Sequence, residues 1–171
     1  MRQSSIRSGA DMHESHIDAA QPKPALYNEL QRELGALIAG EPDFIANLAN
    51  SAALLYHSLP GLNWAGFYLL KQGELVVGPF QGKPACVRIA LGKGVCGTAA
   101  AERKTQLVRD VHEFPGHIAC DAASNSEIVV PMIRNGELLG VLDLDSPSVA
   151  RFDQDDRVGL EKFVATLLAA T

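Results

Sequence analysis

The chain has 171 residues, 47% of them apolar and 20% charged, a balance that suits one globular domain with a sizeable core. A net charge of −5, with basic residues scattered rather than clustered, leaves no footprint for phosphate backbones or anionic lipid, so nucleic acid is not an expected partner. No window reaches the roughly 18 consecutive apolar residues of a spanning helix, and the polar start MRQSSIRSGADMHESH lacks an apolar signal core; a cytoplasmic protein without a membrane partner is expected.

Residues 1–22 are rich in Ser, His, Asp and Gln without apolar period, and QPKP closes them. They read as a disordered N-terminal arm ahead of a single domain over 23–171. In ALYNELQRELGALIAG, Leu26, Leu30, Leu34 and Leu37 recur at spacings of three and four, a helical stripe ending at Gly40. A second helix is expected to begin near Pro42 and to run through FIANLANSAALLYHSL until LPGLN breaks it.

From Asn63 the texture changes to short apolar runs between turn residues: NWAGFYLL, ELVVG, ACVRIAL, TQLVRD, SEIVVPMI and ELLGVLDLD. These read as about six strands, with hairpins at KQG and RNG. FDQDDRVGLEKFVATLLAA then closes the chain as a helix, with Asp153 as its N-cap and acids in its first turn. The expected fold is α+β: a mainly antiparallel sheet whose one face carries the N- and C-terminal helices and whose other face is free for a pocket.

Cys86, Cys96 and Cys120 are an odd number and match neither a secreted disulfide framework nor a paired zinc motif. Structural zinc is therefore not expected, and inert thiols or thiol chemistry remain. GKGVCG, residues 92–97, satisfies G-x-G-x-x-G and precedes the helix-prone TAAAERK. About twenty positions on, no acidic residue ends a second parallel strand, and no βαβ alternation surrounds the motif. These glycines read instead as a tight loop whose backbone N–H groups, near a helix start, suit a small anion such as a carboxylate.

Glu127 opens one strand of the last hairpin, while Asp143 and Asp145 close the other. Two registers are possible. A three-residue loop at Arg134, Asn135 and Gly136 sets Glu127 opposite Asp143 with Asp145 on the same face; a two-residue Asn-Gly turn sets Glu127 opposite Leu144, on the other face. In the converging register, repulsion and desolvation raise a carboxyl pKa and leave a proton to donate near neutral pH.

NWAGFYLL, PFQGKPACVRIALGKGVCGTA, HIACDAASNSEIVVPMI and GVLDLDS together resemble the GAF-domain free-methionine-(R)-sulfoxide reductases, from about Leu26 to the end of the chain. The PACVRI, GVCG and HIACD elements separate these enzymes from GAF sensor domains. The resemblance implies Cys120 as nucleophile, Cys86 as resolving cysteine and Cys96 as a third, auxiliary cysteine. It implies Trp64 and Tyr68 as aromatic walls and Glu127, Asp143 and Asp145 as the acids of the substrate site. Free methionine sulfoxide as substrate and thioredoxin as reductant are implied likewise. A homodimer is compatible with it.

The chemistry of these residue types agrees. A thiolate attacks the sulfoxide sulfur, Glu127 or Asp143 protonates the departing oxygen, and the sulfenic acid on Cys120 condenses with a second thiol. This route needs neither metal nor organic cofactor. Asp143 or Asp145 suits the substrate ammonium, which an internal methionine lacks. His117 could stabilise a thiolate on Cys120, but a lone loop histidine is more often solvent-facing, and it stays outside the expected site. The competing readings are a GAF sensor that binds a small ligand without chemistry and a redox-responsive interaction protein.

Overall fold

The leucine stripe of the first segment becomes α1 (Lys23–Leu37), which buries Leu26, Tyr27, Leu30 and Leu34 and leaves Leu37 partly covered. The second helix, α2 (Phe44–Ser58), starts two residues later than its proline suggests. Asp43, in extended backbone, accepts from Ala46 N and caps it, leaving Pro42 outside. The computed structural model describes residues 17–118 and 121–170. Residues 1–16 of the expected arm thus lie outside the described residues, while Ile17 packs against the helical core.

Six strands follow: β1 (Trp64–Lys71), β2 (Glu74–Gly82), β3 (Arg88–Ala90), β4 (Gln106–Val108), β5 (Ser126–Arg134) and β6 (Glu137–Ser146). They form one sheet in the order β3-β2-β1-β6-β5-β4 with every neighbour antiparallel. The runs ACVRIAL and TQLVRD each pair over three residues only. The helix α3 (Gly94–Glu102) sits between β3 and β4, and α4 (Gln154–Ala169) ends the fold. Asp153 caps α4 in a reciprocal box with Asp156.

Period-two alternation decides what each face of the sheet carries. Ala65, Phe67 and Leu69 of β1, Ile128 and Val130 of β5, and Leu142 and Leu144 of β6 meet Leu30, Leu34, Leu55 and Phe163 of the three long helices. Each of these side chains larger than alanine stabilises the fold by about 1.5–3 kcal/mol relative to exposure, so this face holds the domain together. The intervening residues Trp64, Tyr68, Val129 and Val141 face the other way, beneath Val95, Cys96 and Ala99 of α3.

The β5–β6 register matches neither expectation in full. Arg134 pairs with Glu137, so the turn is the two-residue one, with Asn135 at φ 52 and Gly136 at φ 78. That turn alone would send Glu127 to the helical face. Between Met132 and Ile133, however, the register shifts: Ile133 faces Leu138 and Met132 faces Gly140, leaving Leu139 as an extra residue in β6. The bulge returns every later residue to the opposite face, where Glu127 stands opposite Asp145 and Val129 opposite Asp143. Gly140 makes this possible, because a Cβ there would lie 2.1 Å from the Tyr68 carbonyl oxygen.

Candidate active site

The free face of the sheet and α3 enclose a pocket of about 540 Å³, open solvent at its mouth included. Trp64, Tyr68, Cys96, Glu127, Asp143 and Asp145 all line it. They arrive from four elements. The β1–β6 pairing sets Trp64 beside Asp145 and Gly66 beside Asp143, so both aromatic residues and both aspartates share one surface. Glu127 joins them across β6.

The aromatic wall is built as a stack. The Trp64 ring lies 5.2 Å from Phe80 at 15° and 5.8 Å from Tyr68 at 26°. Trp64 Nε1 donates to the Lys83 carbonyl oxygen at 3.2 Å, and the Tyr68 hydroxyl donates to the Cys86 carbonyl oxygen at 3.1 Å. Each ring thus presents its apolar body to the pocket and ties its polar end to the segment that carries Cys86. Cys86 itself is half-buried and disulfide-bonded, whereas Cys96 is a free, buried thiol. Cys120 lies outside the described residues.

Glu127 and Asp143 are each 6% exposed, and neither forms an ion pair with Lys or Arg among the described residues. Burial pushes Asp143 up to about 7, while hydrogen bonds from Cys96 and Glu127 oppose the rise. Glu127 rises well above the carboxylate range, through burial first and then the charges of Asp143 and Asp145. Burial and Asp143 raise Asp145 too. The cluster therefore retains protons at neutral pH, as two adjacent carboxyl groups in apolar surroundings must.

Cys96 Sγ donates to Glu127 Oε1 at 3.9 Å. Burial, then the charges of Asp143 and Glu127, drive its thiol pKa well up, so Cys96 is a neutral thiol. Its Sγ and one oxygen from each of Glu127 and Asp143 lie within 4.8 Å of one another, a donor set able to hold a cation. Above them, Gly94 and Val95 bring the first turn of α3 to the pocket.

Residues 43–171 match the family model described as GAF domain. The free methionine-R-sulfoxide reductase of Escherichia coli (strain K12) is 57% identical over 145 residues, covering 85% of this chain and 88% of that protein. The free methionine-R-sulfoxide reductase of Saccharomyces cerevisiae is 44% identical over 160 residues, covering 88% and 89%. The solved structure of the free methionine-R-sulfoxide reductase from Neisseria meningitidis, in complex with its substrate, superposes with a TM-score of 0.89 at 45% identity, covering 93% of this chain and 95% of that one. The chain belongs to the GAF-domain free methionine-R-sulfoxide reductase family.

The GAF match spans the whole sheet, α3 and α4, hence every pocket-lining residue named above. Several pocket residues escaped the sequence reading. His117 is mostly buried, lines the pocket and points Nε2 at Glu127 Oε2, 3.8 Å away, rather than facing solvent. Its pKa is lowered by burial and then by His112, which keeps the ring neutral. Asn63 donates to Asp121 Oδ2 at 3.3 Å and to Ser124 Oγ at 3.0 Å, linking the start of β1 to the loop before β5. Asp121 and Ser124 stand in HIACDAASNSE, where adjacency to Cys120 was the available signal. Phe80 had none, since its stacking depends on the β1–β2 pairing.

Proposed function

We propose that this chain reduces free L-methionine-(R)-sulfoxide to methionine through a thiolate, sulfenic acid and disulfide cycle recycled by thioredoxin. The observation that carries the reading is the proton-retaining acid cluster set beneath an aromatic wall and beside a cysteine loop. A sulfoxide oxygen leaves only when protonated, and Glu127 and Asp143 are buried acids that keep a proton at neutral pH.

In this reading the Cys120 thiolate attacks the sulfoxide sulfur while Glu127 or Asp143 protonates the oxygen. The substrate S–O bond breaks as the oxygen passes to the Cys120 sulfur, so methionine leaves and Cys120 becomes a sulfenic acid. Cys86 attacks that sulfur, expels water and forms the disulfide; a thioredoxin dithiol then reduces it through a mixed disulfide. The oxidised state of Cys86 beside a neutral, buried Cys96 supports Cys86 as the resolving thiol and leaves Cys96 an auxiliary one. Trp64 packs against the S-methyl group, and Tyr68 supports it. Asp145, more exposed than its neighbours, receives the substrate ammonium, whose charge returns the carboxyl to its ionised form. The first turn of α3 receives the substrate carboxylate. Selection of the free amino acid follows, because a peptide-bound methionine lacks both charges.

The test couples the purified protein to thioredoxin, thioredoxin reductase and NADPH, with separated R and S epimers of free methionine sulfoxide. NADPH loss matched by methionine formation with the R epimer alone is the expected result. No turnover of either epimer, with thiols reduced and protein folded, overturns the reading in favour of a GAF ligand sensor. Cys120→Ser is expected to abolish turnover, and Cys86→Ser to stop after about one equivalent of methionine.

A further inference from the structure

The pocket holds a second donor set that the reaction does not use as such. Cys96 Sγ and a carboxylate oxygen from each of Glu127 and Asp143 lie within 4.8 Å of one another, all three residues buried. His117 Nε2, 3.8 Å from Glu127 Oε2, is a fourth donor, a nitrogen, at the edge of the group. Independently, Asp143 Oδ1 is a buried oxygen without a hydrogen-bond partner among the described residues, on a residue 94% removed from solvent. A buried, unsatisfied carboxylate oxygen is costly unless something binds it.

We propose that Cys96, Glu127, Asp143 and His117 bind a borderline-soft divalent cation of the zinc class, and that the bound ion closes the sulfoxide pocket. One thiolate, one imidazole and two carboxylates are zinc's preferred donor types, and thiolate and imidazole select against magnesium and calcium. The Cys96–Glu127 spacing fits with little movement, while His117 swings inward to complete the set. Zn–S and Zn–O bonds in a tetrahedron set sulfur and oxygen roughly 3.5 Å apart, against 3.9 Å between Cys96 Sγ and Glu127 Oε1. On binding, the ion displaces the Cys96 thiol proton and the protons held by the carboxyl groups to solvent, a replacement of protons by metal charge that alters no oxidation state. Occupancy removes Glu127 and Asp143 from the sulfoxide oxygen and sets a divalent charge beside Asp145, where the ammonium would sit, so cation and substrate exclude one another. This consequence rests on the reductase reading; the cation site itself does not.

Cobalt(II) tests the site without turnover. Added to the purified full-length protein with Cys86 in its disulfide, cobalt is expected to give a thiolate-to-metal charge-transfer band saturating at one equivalent and bleached by zinc. Cys96→Ser is expected to abolish the band and weaken zinc binding at least about a hundredfold, since even outer-shell losses cost about 10–100-fold. Glu127→Gln weakens zinc binding comparably and serves as a second arm should the serine variant fold poorly by circular dichroism. Free methionine-(R)-sulfoxide is expected to displace the ion. Absence of the band in the unmodified protein, or an undiminished band in Cys96→Ser, overturns the site. A band that substrate does not displace overturns the mutual exclusion, and leaves the reductase reading to its own turnover assay.

Discussion

The domain buries acids in two places, and the two are solved in opposite ways. Asp156, wholly buried at the start of α4, is met on every side: Lys23 Nζ and Arg151 Nη1 reach its oxygens, the Tyr27 hydroxyl donates to Oδ1 at 2.9 Å, and Asp153 N donates to Oδ2 at 2.8 Å. Glu127 and Asp143 are nearly as buried, yet they have each other, Asp145, a thiol and an orphaned oxygen. A carboxylate with two cations and a cap is a structural joint, pinning α1 to α4. Carboxyl groups that meet no Lys or Arg among the described residues, and that leave an oxygen unpaired, are held ready for something that arrives. Burial alone therefore does not mark a functional acid; what satisfies it does.

The sharpest way to break the comparison is to neutralise one acid of each kind. Asp143→Asn and Glu127→Gln remove a proton donor while keeping shape, and turnover is expected to fall about 10²–10⁴-fold, the usual worth of general acid catalysis. Their thermal unfolding midpoints stay level or rise, because no ion pair is lost. Asp156→Ala does the reverse. It strands Lys23 and Arg151 at the α1–α4 joint and is expected to lower stability by about 3–5 kcal/mol, as loss of one partner of a buried pair does. At a temperature where that variant is folded, its kcat/KM stays within about twofold of the parent. Chemical denaturation and steady-state kinetics on the three variants check both halves.

How much of this was legible in the chain differs between the two places. The leucine stripe at 26, 30 and 34, the strand alternation and the Asp153 cap follow from local periodicity, and they placed helices, strands and the helical face correctly. The acid cluster was half legible. The Asn135–Gly136 turn is a local signal and points Glu127 to the wrong face; the correction comes from the bulge at Leu139, which exists because Gly140 lies against Tyr68 on a different strand. Cys96 beneath Glu127 requires α3 to lie over the sheet, and the Asp156 joint requires α1 to lie against α4, over 100 residues apart in sequence. No spacing within one segment encodes either contact.

The pH dependence of stability sharpens the same contrast. The folded pKa of Asp143 lies above its value of 3.8 in the unfolded chain, at about 7. Between these values the folded state binds more protons than the unfolded one, so this group's contribution to stability is full below the unfolded value and is lost as pH rises toward 7. Asp143→Asn should therefore flatten the alkaline decline, by an amount on the order of a few kcal/mol, and its advantage over the parent should be larger at pH 8 than at pH 4. Urea midpoints at the two pH values measure it. An equal advantage at both would mean that the folded pKa of Asp143 is not raised above its unfolded value.

The smallest effect separates the wall from the acids it covers. Trp64 stacks on Phe80 and Tyr68 and hydrogen-bonds the Lys83 carbonyl, so its indole is held by the fold before any ligand arrives. Trp64→Phe keeps an aromatic face but loses that hydrogen bond and part of the surface offered to a small S-methyl group. Losing contact equivalent to one or two methylenes is worth about 1–2 kcal/mol, or roughly five- to thirtyfold in affinity. The loss should fall mainly on KM, because packing against a methyl group is equally strong before and during S–O cleavage. A comparable fall in kcat would instead give the indole a share in aligning the sulfoxide oxygen with the acid pair. The wall and the acids would then form one reacting unit, which Trp64→Phe combined with Glu127→Gln would reveal as non-additive losses.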